Sequence, residues 1–239
     1  MIDALDAAAA SLSGDLARMS SIGHNLANAT TPGYKRQVGA SQSFEASLGE
    51  QGAALARAIP RFAIDAKQGA LRVTDAPLDF AIDGDGFFEL RTGSGPAYTR
   101  RGDFRLDGTG QLVTQSGHLV MGAGGPLVLR SAAPVITRDG RVLDDGQEVG
   151  QLKVVTFSDP RSLTPSDSGA VFTAADAALA AAPERTPRIL QGHLEASNVN
   201  TAAEMVKLIE TVRHFESVQK VVQGFDEMRE RALRKLGEF

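Results

Sequence analysis

Apolar residues near the start of the chain recur at steps of three and four: Ile2, Leu5, Ala9, Leu12, Leu16, Met19, Gly23 and Leu26. This is the a/d spacing of a heptad seam. Ala, Ser, Asp and Arg fill the positions between, so the stripe is narrow and suits one or two partner helices better than a broad core. The small residues Ala9 and Gly23 leave room for a neighbouring backbone. The predicted helix stops near Ala29 or Thr30, because Thr31 precedes Pro32 and is pushed out of helical geometry. Asn28 is placed to cap that end. Pro32-Gly33 then supplies a fixed φ followed by a permissive one, the signature of a type II turn.

A second helix is predicted at the other end. Thr201 and Glu204 form a T-x-x-E capping box, with Thr201 as N-cap. Its apolar face runs Met205, Leu208, Val212, Phe215, Val218, Val222, Phe225, Leu233 and Leu236, drifting with a 3.6-residue period. Arg229, Arg231, Arg234 and Lys235 crowd the last turns, where cations complement the helix dipole, and Gly237 ends the helix. Neither helix has another long helix beside it in sequence. Each must bury its stripe against the other or against other chains.

From Val73 to Phe157 the pattern changes to short apolar-alternating runs. Leu78–Ile82, Phe87–Leu90, Tyr98–Arg101, Phe104–Leu106, Leu112–Thr114, His118–Met121, Leu127–Leu129, Val135–Thr137, Val142–Leu143 and Leu152–Phe157 are candidate strands. Asp83-Gly84, Asp107-Gly108, Asp139-Gly140 and Asp145-Gly146 punctuate them, and Asp-Gly between alternating runs signals a hairpin. Many short strands at this spacing mean an antiparallel sandwich or barrel-like body. The expected fold class is therefore α+β: long N- and C-terminal helices pairing as a coiled coil, with a central antiparallel all-β body. The expected division is residues 1–34 with 193–239 as a discontinuous helical domain and 71–157 as a β-rich domain. Residues 35–70 and 158–192, the second with an Ala-rich patch around Ala174–Ala182, are connecting arms.

Composition narrows the function. The 239 residues carry 25 Lys and Arg against 29 Asp and Glu, a net charge of −4, which argues against a nucleic-acid binder. Aromatic residues at 5% and no Trp argue against a stacking platform for single strands. The absence of Cys removes disulfides, Cys-ligated zinc, iron–sulfur clusters and thiol catalysis together. Most of the 25 glycines fall in the β region, where they read as turn punctuation. Every apolar run is short or broken, and Asp3 and Asp6 stand where a secretory signal carries Lys or Arg. No cleaved signal peptide and no direct membrane insertion are expected.

The search for chemistry finds no Walker loop and no completed G-x-G-x-x-G, and the Gly93–Pro96 and Gly122–Gly125 stretches read as hairpin loops. Asp83-Gly84-Asp85-Gly86 suggests a calcium loop, but the next oxygen position is Phe87, so a tight turn is the simpler reading. His24, His118, His193 and His214 form no metal-binding pair, and no Ser sits in a G-x-S-x-G elbow. No catalytic, cofactor-binding or metal residue is assigned, and no cofactor is expected.

Three motifs carry a resemblance. Asn25-Leu26-Ala27-Asn28-Ala29-Thr30-Thr31-Pro32-Gly33-Tyr34-Lys35-Arg36 resembles the N-terminal signature of bacterial flagellar rod and hook proteins. Gly192-His193-Leu194-Glu195-Ala196-Ser197-Asn198-Val199-Asn200, followed by Glu204-Met205-Val206 and Leu208-Ile209-Glu210, resembles their second signature. Pro77–Ile82, Gly84, Gly86-Phe87-Phe88, Tyr98-Thr99-Arg100, Gly102 and Phe104 are similar to their shared β segment. The likeness covers nearly the whole chain in the right order.

The resemblance implies a structural subunit of the basal-body rod, polymerising through its terminal helices into a hollow, torque-transmitting shaft with the β body outside. It implies copies of itself and other rod proteins as partners, delivery through the flagellar type III export apparatus, and assembly in the periplasm. Arg213-His214-Phe215-Glu216 stands where hook and distal-rod members usually carry Arg-Ala-Tyr-Glu. With the short chain, this places the sequence nearest the proximal-rod branch, with distal-rod and then hook-type members next. The subunit-packing residues expected from it are Leu5, Leu12, Leu16, Met19 and Leu26 on the first helix and Met205, Leu208, Val212, Phe215 and Val222 on the second. The motif residues are Asn25, Asn28, Thr31, Pro32, Gly33, Tyr34, Ser197, Asn198 and Val199. In the lone subunit the terminal helices are expected to be partly disordered, ordering on incorporation. The other classes kept open are a β-domain enzyme, for which Glu89 and Asp103 near predicted turns are the acids to watch, and a periplasmic binding module.

Overall fold

The computed structural model describes residues 2–40, 61–166, 170–174 and 187–236. The rest of the predicted arms, most of the Ala-rich patch and Gly237 lie outside the described residues. The chain divides into two units: Met1–Leu26 with Gln37–Phe62 and Asn200–Phe239, and Ala27–Arg36 with Ala63–Val199.

In the first unit, helix α1 runs Ile2–Ala27 and helix α2 runs Thr201–Leu236. Asn200, not Thr201, caps α2: its Oδ1 accepts from the Ala203 amide at 3.0 Å and its carbonyl from the Glu204 amide at 3.0 Å. Asn is a better N-cap than Thr, and one residue's shift takes Glu204 out of the capping-box position. The helices meet at two levels. His214 Nδ1 lies 2.6 Å from Asp15 Oδ2, and Asn25 Nδ2 donates to Glu204 Oε2 at 3.0 Å. Residue numbers rise along α1 as they fall along α2, so the helices run antiparallel there.

The expected long coiled-coil pairing is corrected by which positions are buried. A coiled coil buries apolar a and d side chains. Here Leu5 and Leu16 are 40% and 56% exposed, and Met205 and Val212 are 56% and 37% exposed. Among the described residues, the buried positions are Asp15, Ser21, Ile22 and Asn25 on α1 and Glu204 on α2. Leu12, Met19, Leu26, Leu208, Phe215 and Val222 are half-buried. On α1 the inward face holds Asp15 and Ile22 where the periodicity points to Leu16 and Gly23. One residue is about a 100° rotation of the helix, enough to turn Leu16 outward.

The second unit holds most of the strands. In chain order the strands are β1 (Gln37–Ala40), β2 (Arg61–Ile64), β3 (Leu71–Val73), β4 (Phe80–Ile82), β5 (Phe87–Thr92) and β6 (Gly95–Thr99). Next come β7 (Arg105–Leu106), β8 (Leu112–Val113), β9 (Leu119–Gly122), β10 (Gly125–Pro126), β11 (Val135–Ile136) and β12 (Arg141–Asp144). The last are β13 (Gln147–Gln151), β14 (Val154–Val155), β15 (Leu163–Pro165), β16 (Val171–Ala174), β17 (Ile189–Gln191) and β18 (His193–Glu195). The largest sheet has the order β15-β16-β6-β5-β9-β8-β7, with β10 on β9 and β14 on β5. β11-β12-β13 form a smaller sheet, β17 pairs with β4, and β18 pairs with β3. The ladders of this body are antiparallel.

Successive side chains on a strand point to opposite faces. Phe88 and Ala97 enter one apolar cluster, with Phe80, Phe104, Leu112, Val120, Val142, Leu152 and Ile189. Their neighbours Phe87 and Tyr98 enter a second, with Ile64, Val155, Leu163 and Phe172. The β5–β6 hairpin is therefore covered on both faces. Leu127–Leu129, read as a strand, contributes only an isolated bridge from Val128 to Gln111.

Candidate functional site

The two signature motifs, far apart in sequence, are joined in the structure. Thr31, Pro32, Gly33 and Tyr34 form the turn, closed by the Tyr34 amide donating to the Thr31 carbonyl at 3.3 Å. Gly33 has φ +67°. A Cβ there would collide with the backbone of Arg100 and Arg101, so the turn seats directly on the chain. Asn28 accepts from the Thr31 hydroxyl at 3.2 Å, tying the helix end to the turn.

Behind the turn lies a buried ionic cluster. Glu195 Oε1 accepts from Lys35 Nζ at 2.6 Å and from the Gly69 amide at 2.9 Å. Glu195 Oε2 accepts from Arg100 Nη1 at 3.3 Å, and the Glu195 carbonyl accepts from the Gly33 amide at 2.7 Å. Lys35 Nζ also donates to the Lys67 and Ala66 carbonyls at 2.7 and 3.4 Å, which uses all three of its N–H groups. Arg100 donates to the Gly84 carbonyl at 2.6 Å, and its guanidinium lies 5.2 Å from the Phe87 ring centre. Burial pulls the Lys35 ammonium below its usual range, against the opposing pull of Glu195, and nearby Arg100 pushes the same way as burial. Burial likewise lowers Arg100, with Glu195 and Asp85 opposing. Sequence reading included Lys35, Arg100 and Glu195 in motifs but gave them no role. A Lys, an Arg and a Glu spread over 160 residues carry no local signal that they are one cluster.

Asn198 stitches backbone segments together. Its Oδ1 accepts from the Arg36 amide at 2.7 Å, and its Nδ2 donates to the Asp65 and Lys67 carbonyls at 2.8 and 2.9 Å. Asn25 does the same in the first unit. It accepts from the Gln37 amide at 2.8 Å and donates to the Gln37 carbonyl at 2.9 Å, as a neighbouring strand would. Ser197 Oγ accepts from the Val199 amide at 3.3 Å.

The apolar helix positions behave differently. Leu5, Leu16, Met205, Val206, Ile209, Val212, Val221 and Met228 are all exposed large hydrophobics. Single exposed apolar residues are ordinary; Met205, Val206, Ile209 and Val212 are consecutive along one face of α2 and make a patch. Glu89 and Asp103 each hold a cation of their own, Lys153 at 2.8 Å and Arg101 at 2.5 Å. Asp83, in the turn considered for calcium, pairs with Arg188 at 2.6 Å. Among the described residues no helix is long and apolar enough to cross a membrane.

Comparison with known proteins matches two stretches of this sequence to family models. Residues 81–173 match the family described as "Flagellar hook protein FlgE/F/G D1 domain", and residues 190–235 match "Flagellar basal body rod FlgEFG protein C-terminal". The flagellar basal-body rod protein FlgF of Rhizobium meliloti is 32% identical over 235 residues, covering 92% of both chains. FlgF of Escherichia coli K12 is 34% identical, covering 87% of this chain and 88% of its own. The flagellar basal-body rod protein FlgG of Bacillus subtilis is 32% identical, covering 87% and 89%.

Proposed function

This chain belongs to the flagellar basal-body rod protein family, and from that premise we propose how it serves as a rod subunit. It is a structural component of the basal-body rod and assembles with other rod components. The observation that carries the mechanism is the exposed apolar surface of the two terminal helices, with Leu16 at 56% and Met205, Val206 and Ile209 at 54–56%. In water that surface costs free energy, which contact between subunits removes. A contact between unlike patches whose rotation does not close leaves a fresh patch on each added subunit, so a filament grows. The β body, with its own core and ion cluster, keeps its shape without neighbours and gives each subunit a stiff outer part.

Delivery through the flagellar type III apparatus into the periplasm is supported by the resemblance of both signatures to rod and hook subunits. A place in the proximal rod is supported by Arg213-His214-Phe215-Glu216. The role is mechanical and not catalytic. Basal bodies isolated from cells that carry a tagged copy test this: the tag should appear in the rod, on its membrane-proximal part. A tag absent from purified basal bodies would overturn the reading. So would release of soluble fragments when the purified protein is incubated with peptidoglycan.

A further inference from the structure

We propose that residues 187–199 are the closing element of the β unit, docking after the rest of it has formed. On this proposal Glu195 is the group whose arrival allows Lys35 and Arg100 to be buried. The inference rests on the geometry of this unit and not on the rod assignment.

This stretch touches the body at sites scattered through the preceding chain. As β17 it pairs Ile189, Leu190 and Gln191 with Ile82, Ala81 and Phe80. As β18 it pairs His193, Leu194 and Glu195 with Val73, Arg72 and Leu71. Among the described residues β3 and β4 pair with no other strand; β4 is otherwise tethered at its start, where the Phe80 amide donates to the Gly102 carbonyl at 3.0 Å, so neither has its ladder until residues 189–195 arrive. Between the two strands, the Gly192 carbonyl accepts from the Thr74 amide at 2.8 Å. The Arg188 carbonyl accepts from the Asp83 amide at 2.7 Å, and the Ile189 amide donates to the Arg138 carbonyl at 2.8 Å. The Gln191 side chain donates to the Pro77 and Pro134 carbonyls at 2.8 and 2.7 Å and accepts from the Ile136 amide at 3.0 Å. Asn198 then joins residue 36 to residues 65 and 67.

Charge gives the order a direction. Lys35 and Arg100 are 0% and 2% exposed, and their shared anion is Glu195. Two cations buried without it would face the desolvation cost of unpaired charge. Before Glu195 docks, these cations are better kept in water, which holds the Gly33 turn and residues 66–69 open. The contacts are also long in sequence: Lys35 and Glu195 are 160 residues apart, so loop-closure entropy opposes an early meeting. The β5–β6 and β8–β9 hairpins of the large sheet have no such need, because they close through short loops. Until residues 187–199 dock, the unit therefore holds preformed β5–β6 and β8–β9 hairpins but an unlocked signature turn.

Refolding of the purified full-length chain, followed by pulsed hydrogen exchange, tests this. The reporters are the amides of Gly33, Gly69, Thr74, Asp83 and Ile189, each bonded into or out of the closing element. The controls are the amides of Leu112, Gly117 and Lys153, bonded within the sheet region. The reporters should gain protection together in a phase after the controls. Glu195→Gln should slow that phase about tenfold and leave the control phase unchanged. Adding Lys35→Met to Glu195→Gln should recover part of the rate. Protection of Thr74 and Asp83 along with Leu112, or of all amides in one phase, overturns the proposal. The wild-type order decides the matter even if a variant fails to fold. A double variant no faster than Glu195→Gln refutes the part assigned to charge.

Discussion

Lys35 and Glu195, 160 residues apart in the chain, meet with Nζ and Oε1 separated by 2.6 Å, and neither side chain is more than 1% exposed. The first belongs to the N-terminal signature and the second to the C-terminal one. Arg100 of the β segment, 3.3 Å away on the other carboxylate oxygen, completes a cluster that draws one residue from each of the three family motifs.

Glu195→Gln keeps the shape of the side chain and removes its charge. It leaves two buried cations without their anion, and breaking a buried pair in this way costs about 3–5 kcal/mol. Lys35→Met should cost less, because Glu195 keeps Arg100 and the Gly69 amide. Denaturant unfolding of the purified subunit measures both. Equal losses for the two variants would contradict the assignment of Glu195 as the shared partner.

The Lys35 ammonium is disfavoured in the folded state, first by burial. Between its lowered pKa and the ordinary lysine value the unfolded chain binds more protons than the folded one. Stability from this group therefore rises with pH across that alkaline window. Carbon-labelled lysine followed by NMR should show Lys35 titrating at lower pH than the surface lysines. In wild type minus Lys35→Met, the difference in unfolding free energy should grow with pH there. A Lys35 titration at or above that of the surface lysines would contradict this.

Gly102 has no room for a side chain: a Cβ at this position would fall on the Phe80 carbonyl, which sits in β4 beside the closing strand. Gly102→Ala should destabilise the subunit by about 2–3 kcal/mol, since backbone has to move. Gly93, in the β5–β6 loop, has open space around its Cβ direction, and Gly93→Ala should change stability by less than about 0.5 kcal/mol. Thermal unfolding of the two variants separates them.

What the sequence made legible was local. Asp145-Gly146 marked the β12–β13 turn because two residues with positive φ, +49° and +81°, need that chemistry. β13 itself, Gln-Glu-Val-Gly-Gln, went unread, because an exposed edge strand needs no apolar alternation. Leu163, Val171 and Phe172 are core residues in a stretch that reads as a proline-marked arm, since their burial comes from β6, far back in the chain. The helices were legible as helices, but not in rotation: the Leu16 and Gly23 pattern outscores Asp15 and Ile22 until the Asp15–His214 contact is known. Of the candidate site, the motif residues were found by likeness. The Lys35–Glu195–Arg100 cluster was not, because opposite charges at such separations pair only through the fold.

Leu16 and Ile22 give the sharpest test of which helix surface serves assembly. Ile22 is 7% exposed and Leu16 is 56% exposed, on the same helix. Leu16→Asp places a charge where the lone subunit already meets water, so the stability of the purified protein should change by less than about 0.5 kcal/mol. Buried in a contact between subunits, the same charge would lack a partner, and rod assembly and swimming should both fail. Ile209→Asp, on the exposed patch of α2, should behave alike. Ile22→Asp should instead unfold the helical unit before assembly is attempted, and circular dichroism of the purified protein would show the loss. Cells that swim normally with Leu16→Asp and Ile209→Asp would remove these faces from the rod contacts. If Leu16→Asp unfolded the isolated subunit, Leu16 would belong to the helical unit's own core, and its part in assembly would have to be withdrawn.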